Sequence, residues 1–323
     1  MNDIFTRVDS IQPLSTVLDT VVSYFQLGTI QKYSPILAGY QDCNVELVTD
    51  TGHFVIKFFS FEKSKERIDD IMHGYTAISH AGVPMPSLQK GANHSFLIEI
   101  PGKINPSFAC VFDYIDGKPL TKTPVTDIDL SILARNIALI HTIQKPIHRY
   151  YDAMGIINIP NEYKQKHEAL SLDEQSKIAP IVAKLSRIHL SKFHQSIIHG
   201  SIEKENILKQ ADGNLYIIDL GCMDYNASIL DVATLIANMT IYTGEEKRRH
   251  SIHEIITSYT KLLPISPPEM LALPTLIRAQ FAAYIINMTY HMRKDHDMTK
   301  QTQTWLDRGW DGLKAYTGIR KLL

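Results

Sequence analysis

Residues 197–233, IIHGSIEKENILKQADGNLYIIDLGCMDYNASILDVA, decide how this chain is read. Three positions stand out by order and spacing. His199 opens His199-Gly200-Ser201, Asn206 lies seven residues beyond the histidine, and Asp219 lies thirteen beyond the asparagine. Asp219 closes the apolar run Tyr216-Ile217-Ile218, which has the composition of a short strand. Taken one at a time, Asn and Asp beside short strands are usually turn and cap residues. The joint pattern is far more specific, because composition, order and spacing agree.

Upstream of this stretch the chain is β-rich. Residues 44–49 alternate, and residues 53–59, HFVIKFF, carry β-branched and aromatic side chains. Between them Asp50-Thr51-Gly52 has the chemistry of a hairpin turn. Further strands are expected at 96–100 and 109–114. Helical periodicity is confined to residues 12–27, with Gly28 as the stop, and 62–81, ending at Gly82. After Asp116-Gly117-Lys118-Pro119 helices dominate, at 127–143, 172–193, 228–242, 247–262, 267–294 and 300–321. Short strands at 197–198, 207–208 and 215–218 interrupt them. The expected architecture is α+β: a small β-rich lobe over 1–115, a hinge near 112–116, and a large helical lobe over 116–323.

Bulk properties narrow the function. The 323 residues are 44% hydrophobic and 21% charged, ordinary for a globular protein, with a net charge of -1. That balance suggests neither a nucleic-acid surface nor a polybasic membrane face. Three cysteines, Cys43, Cys110 and Cys222, are far apart and form no Cys-x-x-Cys pair, which argues against a disulfide framework or a zinc site. No stretch reaches the roughly 20 uninterrupted apolar residues of a membrane helix. The first residues, MNDIFTR, lack a basic region followed by an apolar core, so a cytoplasmic protein is expected. No Gly-x-Gly-x-x-Gly follows a strand, which disfavours a dinucleotide-binding oxidoreductase.

The segment from His199 to Asp219 resembles the catalytic loop and metal-binding segment of small-molecule kinases, where His-x-Asp is followed five residues later by Asn. The wider resemblance, over residues 28–240, is to the aminoglycoside phosphotransferase and homoserine kinase superfamily. It looks nearest to homoserine kinase and hydroxylysine kinase-type members. The resemblance implies a protein-kinase-like two-lobed fold, ATP and Mg²⁺ as cofactors, and a small-molecule acceptor bearing a hydroxyl group. Asn206 and Asp219 would hold the metal, which as a hard cation takes oxygen ligands. Lys57, inside HFVIKFF, would pair with the α- and β-phosphates. Its usual partner is a carboxylate on the following helix, for which Glu62, Glu66, Asp69 and Asp70 are candidates. Gly39, in LAGYQDCN, matches the phosphate-covering hairpin. Residues 111–120, VFDYIDGKPL, match the inter-lobe segment, whose backbone at Asp113 and Ile115 would meet the adenine. Residues 133–141, LARNIALIH, match a helix read as core packing beneath the site. Asp231 would brace the catalytic loop and cap its own helix. Helices after residue 240 would supply the acceptor pocket.

One position departs from the family. Where the catalytic aspartate is expected the chain has Ser201, which carries no charge and has no useful basicity at neutral pH. A general base contributes roughly 10²–10⁴-fold, so losing one raises the barrier by about 3–5 kcal/mol. Three readings stay open at this stage. The protein is a nucleotide-binding pseudokinase, or an enzyme whose base has moved to Glu203 or Glu205, or an active-site variant of a working kinase. Against the second, both glutamates also read as solvated loop charges. A helical interaction protein that merely retains the fold is a further rival.

Overall fold

The computed structural model describes residues 6–37 and 42–319. The chain divides into two compact units, Met1–Thr76 with Met85–Gly117, and Ala77–Pro84 with Lys118–Leu323.

The first unit is built on a five-stranded antiparallel sheet. Its strands are β1 (Ile30–Ile36), β2 (Cys43–Thr49), β3 (His53–Phe58), β4 (Ile98–Ile100) and β5 (Ser107–Asp113), in the order β1-β2-β3-β5-β4. Alternation along β2 buries Cys43, Val45 and Leu47. Helix α1 (Leu14–Phe25) adds Val17, Leu18, Val21, Val22 and Phe25 to the same core, one face of a 3.6-residue repeat. The helix stops at Gln26, which takes a left-handed conformation at φ 54° and returns its N–H to Val22 and Ser23. Gly28, the stop expected from the sequence, lies two residues further on at φ 84°. A Cβ there would come within 2.0 Å of the Asp50 carboxylate, which already holds the Thr29 N–H. Strand β1 was not expected, because an edge strand with Gln31, Lys32 and Pro35 shows little apolar alternation. Helix α2 (Lys65–His80) follows β3.

The second unit holds strand β6 (Lys118–Pro119) and helices α3 (Asp127–Ile140), α4 (Ile159–Lys166) and α5 (Leu172–Leu185). Strands β7 (Gln195–Ile198), β8 (Ile207–Lys209), β9 (Leu215–Ile217) and β10 (Asp224–Ala227) follow. Helices α6 (Ile229–Thr240), α7 (Glu245–Thr260), α8 (Pro267–Lys294) and α9 (Lys300–Ala315) complete it. β7 pairs with β10, and β8 lies between β6 and β9. Helix α3 begins with a capping box at Thr126, and Asp129 in its first turn also holds Lys209 of β8 at 2.7 Å. The helix expected to reach residue 193 ends at Leu185. Ser186 spends its hydroxyl on the Val182 carbonyl, and single turns lead on into β7. The last helix likewise ends at Ala315 rather than 321, turning through Gly318 at φ 76°. Helix α8 is the one described helix long and apolar enough to cross a membrane, and 78% of its apolar window is buried within the protein.

Candidate active site

In the helical unit the loop after β7 is fixed from behind. Asp231, in the first turn of α6, is 1% exposed. One carboxylate oxygen accepts the His199 N–H at 2.7 Å and the other accepts the Gly200 N–H at 2.9 Å. His141, at the end of α3, lies 3.1 Å from the same carboxylate through Nε2 and 2.8 Å from the Tyr259 hydroxyl through Nδ1. Burial works against the charge of Asp231, but the hydrogen bonds outweigh it and hold the carboxyl below its usual range. The expected brace is present. The expected helix cap is not: the N-cap is Ser228, whose hydroxyl is engaged with His194 and Ser196, and Asp231 lies in the first turn with both oxygens spent on the loop and His141. Helix α3 is packed as expected through Leu133, Ala134, Ile137 and Ile140, and it delivers a polar group as well.

Two features set the shape of the loop itself. Gly200 sits at φ 82°, and a Cβ there would meet the Cys222 carbonyl oxygen at 2.2 Å, so no other residue fits. His199 is buried with Nε2 at 3.0 Å from the Ile218 carbonyl, while Nδ1 accepts the Ser201 N–H at 3.2 Å. That pairing requires the neutral Nε2–H tautomer, and burial lowers the imidazole pKa in agreement.

Asn206 and Asp219 are both attached to this frame through the backbone. Asn206 donates from Nδ2 to the Ser201 carbonyl at 3.0 Å and to the Ser201 hydroxyl at 3.2 Å. Its Oδ1 is then the atom left for a cation. The Asn206 carbonyl accepts the Ile218 N–H at 3.0 Å, which ties the loop to the strand that ends beside Asp219. Asp219 is half-buried in the left-handed region at φ 64°, with one oxygen accepting the Gly221 N–H at 3.0 Å. Non-glycine residues at positive φ are uncommon and often mark functional positions. Among the described residues no cluster of three His, Cys, Asp or Glu side chains forms a closed metal cage. An amide oxygen and a carboxylate suit Mg²⁺, which takes few protein oxygens and completes its shell with phosphate and water.

The two loop glutamates are not solvated charges of one kind. Glu203 is buried, and its carboxylate accepts the Tyr284 hydroxyl at 2.6 Å. Burial pushes its pKa up to about 7, with the Tyr284 bond only partly offsetting that. Glu205 is half-buried and paired with Arg308 at 2.5 Å, whose guanidinium lies over the Trp305 ring. Neither Tyr284 nor Arg308 was singled out in the sequence, since they lie about 80 and 100 residues from the loop on α8 and α9.

In the β-rich unit Lys57 is buried on β3. Its Nζ lies 3.0 Å from Asp42 Oδ2, and Lys63 takes the other oxygen at 2.5 Å. Asp42 also accepts the Ser60 N–H at 3.1 Å. One carboxylate on Lys57 thus precedes β2 and was not among the four helix candidates. Of those, Glu62 and Glu66 are exposed, Asp69 pairs with Lys65 at the surface, and Asp70 is buried. Asp42 was within the quoted hairpin, but nothing local in the sequence marks it as a partner of a residue fifteen positions on. Gly39 lies outside the described residues. At the end of β5 the Asp113 N–H goes to the Ser87 carbonyl at 3.0 Å and its carboxylate accepts the Gln89 amide at 2.6 Å. Ile115 is half-buried, its carbonyl closing a turn with the Gly117 N–H at 2.8 Å.

A kinase-like fold with this loop is the signature of a phosphotransferase. The sequence profile described as the phosphotransferase enzyme family (APH) matches residues 32–264, and the chain belongs to that family. No curated protein matches the chain in sequence. Solved structures match it at fold level. A spectinomycin phosphotransferase bound to ADP and spectinomycin has a TM-score of 0.72 at 11% identity, with 97% of this chain and 100% of that one covered. The amicoumacin kinase in complex with AMP-PNP, Ca²⁺ and its ligand has a TM-score of 0.70 at 13% identity, covering 95% and 94%. A microcompartment-associated aminopropanol kinase has a TM-score of 0.70 at 12% identity, covering 96% and 98%. The α+β, protein-kinase-like fold expected from the sequence is the one found. Nothing among these matches singles out homoserine kinase-type members.

Proposed function

We propose that the protein transfers the γ-phosphoryl group of ATP, with Mg²⁺, to the hydroxyl of a small amino alcohol or hydroxyamino acid such as homoserine. The observation that carries this reading is the catalytic loop. Asp231 fixes it from behind, Asn206 is oriented by Ser201 with its Oδ1 turned from those bonds, and Asp219 closes the strand tied to Asn206; their two side-chain oxygens would be the protein ligands of the metal. Bound there, Mg²⁺ would neutralise charge on the phosphates. Lys57, held by Asp42, would bind the α- and β-phosphates, and the backbone at Gly39, Asp113 and Ile115 would receive the rest of the nucleotide. The acceptor hydroxyl would lie at Ser201. The neighbouring aminopropanol kinase supports an amine-bearing acceptor. Phosphoryl transfer through a loose transition state demands little early proton removal, so turnover without an aspartate is slow rather than abolished.

A second reading, a pseudokinase that holds nucleotide without efficient transfer, is favoured by one observation. Ser201 brings no charge to the acceptor position, and its hydroxyl is already engaged by Asn206. Turnover separates the two. ATP consumption with aminopropanol and with homoserine should rise by about 10²–10⁴-fold in Ser201→Asp if only the base is missing. Preserved ATP binding with no gain in that variant would leave the silent nucleotide binder.

A further inference from the structure

A cavity of about 240 Å³ opens in the helical unit between α5, α8 and the turn that follows α9. None of its lining residues belongs to the catalytic loop. Its apolar wall is Ile181, Pro274 and Ile319, all buried. Its polar groups are Lys184, Thr275 and Arg278. Helix geometry explains the grouping: Ile181 and Lys184 are three apart on α5, and Pro274 and Arg278 are four apart on α8, so each pair shares a face.

The charge of this cavity is one-sided. Among the described residues two cations line it and no carboxylate does. The Nε of Arg278 is buried without a hydrogen-bond partner, and burial alone lowers the pKa of this guanidinium, with no acid counteracting it. By contrast, Arg248 of the same unit donates to four backbone carbonyls, counting one through Nε, and Arg308 is paired with Glu205. A buried guanidinium nitrogen with no acceptor carries its full desolvation penalty. Arg278 as a whole is half-exposed, and the terminal N–H groups of its guanidinium could grip a bound anion two at once.

We propose that this cavity is a second binding site, separate from phosphoryl transfer, for a small organic anion. The anion's carboxylate or phosphate head meets Arg278 and Lys184, and a short apolar body lies on Ile181, Pro274 and Ile319. The volume is just below the roughly 300–1,000 Å³ of drug-sized pockets, which suits a metabolite-sized ligand.

The test is calorimetric titration of the whole 323-residue chain with hexanoate and, separately, with hexyl phosphate. Hexanol and inorganic phosphate serve as the two half-ligands. At least one of the amphiphilic anions should bind, with both half-ligands at least tenfold weaker, and the stronger head group identifies the source. Arg278→Gln should weaken binding at least tenfold and Lys184→Gln by a smaller factor. No heat from either anion, or equal affinity in wild type and Arg278→Gln, would overturn the proposal. Arg278→Met keeps the side-chain stem and should melt no lower than wild type, because the lost guanidinium has no partner. A clear fall in its Tm would show that Arg278 is already satisfied within the fold, and would overturn the proposal as well.

Discussion

The two sides of the catalytic loop differ. Behind it, Asp231 spends both oxygens on the His199 and Gly200 amides and is itself held by His141, which reaches Tyr259. In front of it, the position that should carry a carboxylate carries Ser201, and the nearest acid along the loop, Glu203, is turned onto Tyr284. The frame behind the loop is complete, while the position at which the family resemblance implies an aspartate carries Ser201.

Removing the frame should cost most. Asp231→Ala strands two buried loop amides and the His141 imidazole, and should lower stability by about 3–5 kcal/mol, read from urea denaturation. A change under 1 kcal/mol would mean the loop does not depend on this brace. Next comes the front. The Glu203 carboxyl is raised by burial from 4.5 to about 7 in the folded protein, so between those values the native state holds a proton that the unfolded chain releases. Stability from this group is therefore lost as pH rises through that window. Glu203→Gln should be more stable than wild type by up to about 3 kcal/mol at pH 8 and equal to it at pH 4. A pH-independent difference would show that Glu203 is not a buried acid. Smaller still is the lysine clamp. Asp42→Asn should raise KM for ATP roughly tenfold, a loss of about 1.4 kcal/mol, with a smaller change in kcat. An unchanged KM would remove Asp42 as the group that positions Lys57. The smallest effect belongs to the far end of the brace: Tyr259→Phe should cost about 1 kcal/mol, measured in the same denaturation series as Asp231→Ala.

Much of this was legible in the sequence because it is local. The order of strands and helices follows from apolar periodicity, and the loop is a contiguous pattern whose spacing survives even where its third residue has changed. The brace from Asp231, 31 and 32 residues from the amides it holds, was legible only through the family resemblance. What could not be read is set by contacts distant along the chain. Asp42 meets Lys57 across the β2–β3 pairing, Tyr284 meets Glu203 from α8, and Arg308 meets Glu205 from α9. Glu203 and Glu205 look alike as a sequence, and only packing makes one a buried acid and the other half of an ion pair. The edge strand β1 was missed because one-sided pairing relaxes the alternation that marks inner strands.

The central claim is that Asn206 and Asp219 complete a metal-nucleotide site on an intact loop. Calorimetric titration of the protein with ATP, with and without Mg²⁺, tests it most directly. The account predicts binding that requires Mg²⁺ and disappears in Asp219→Ala. Absence of binding under both conditions, or binding indifferent to Mg²⁺ and to Asp219→Ala, would contradict it.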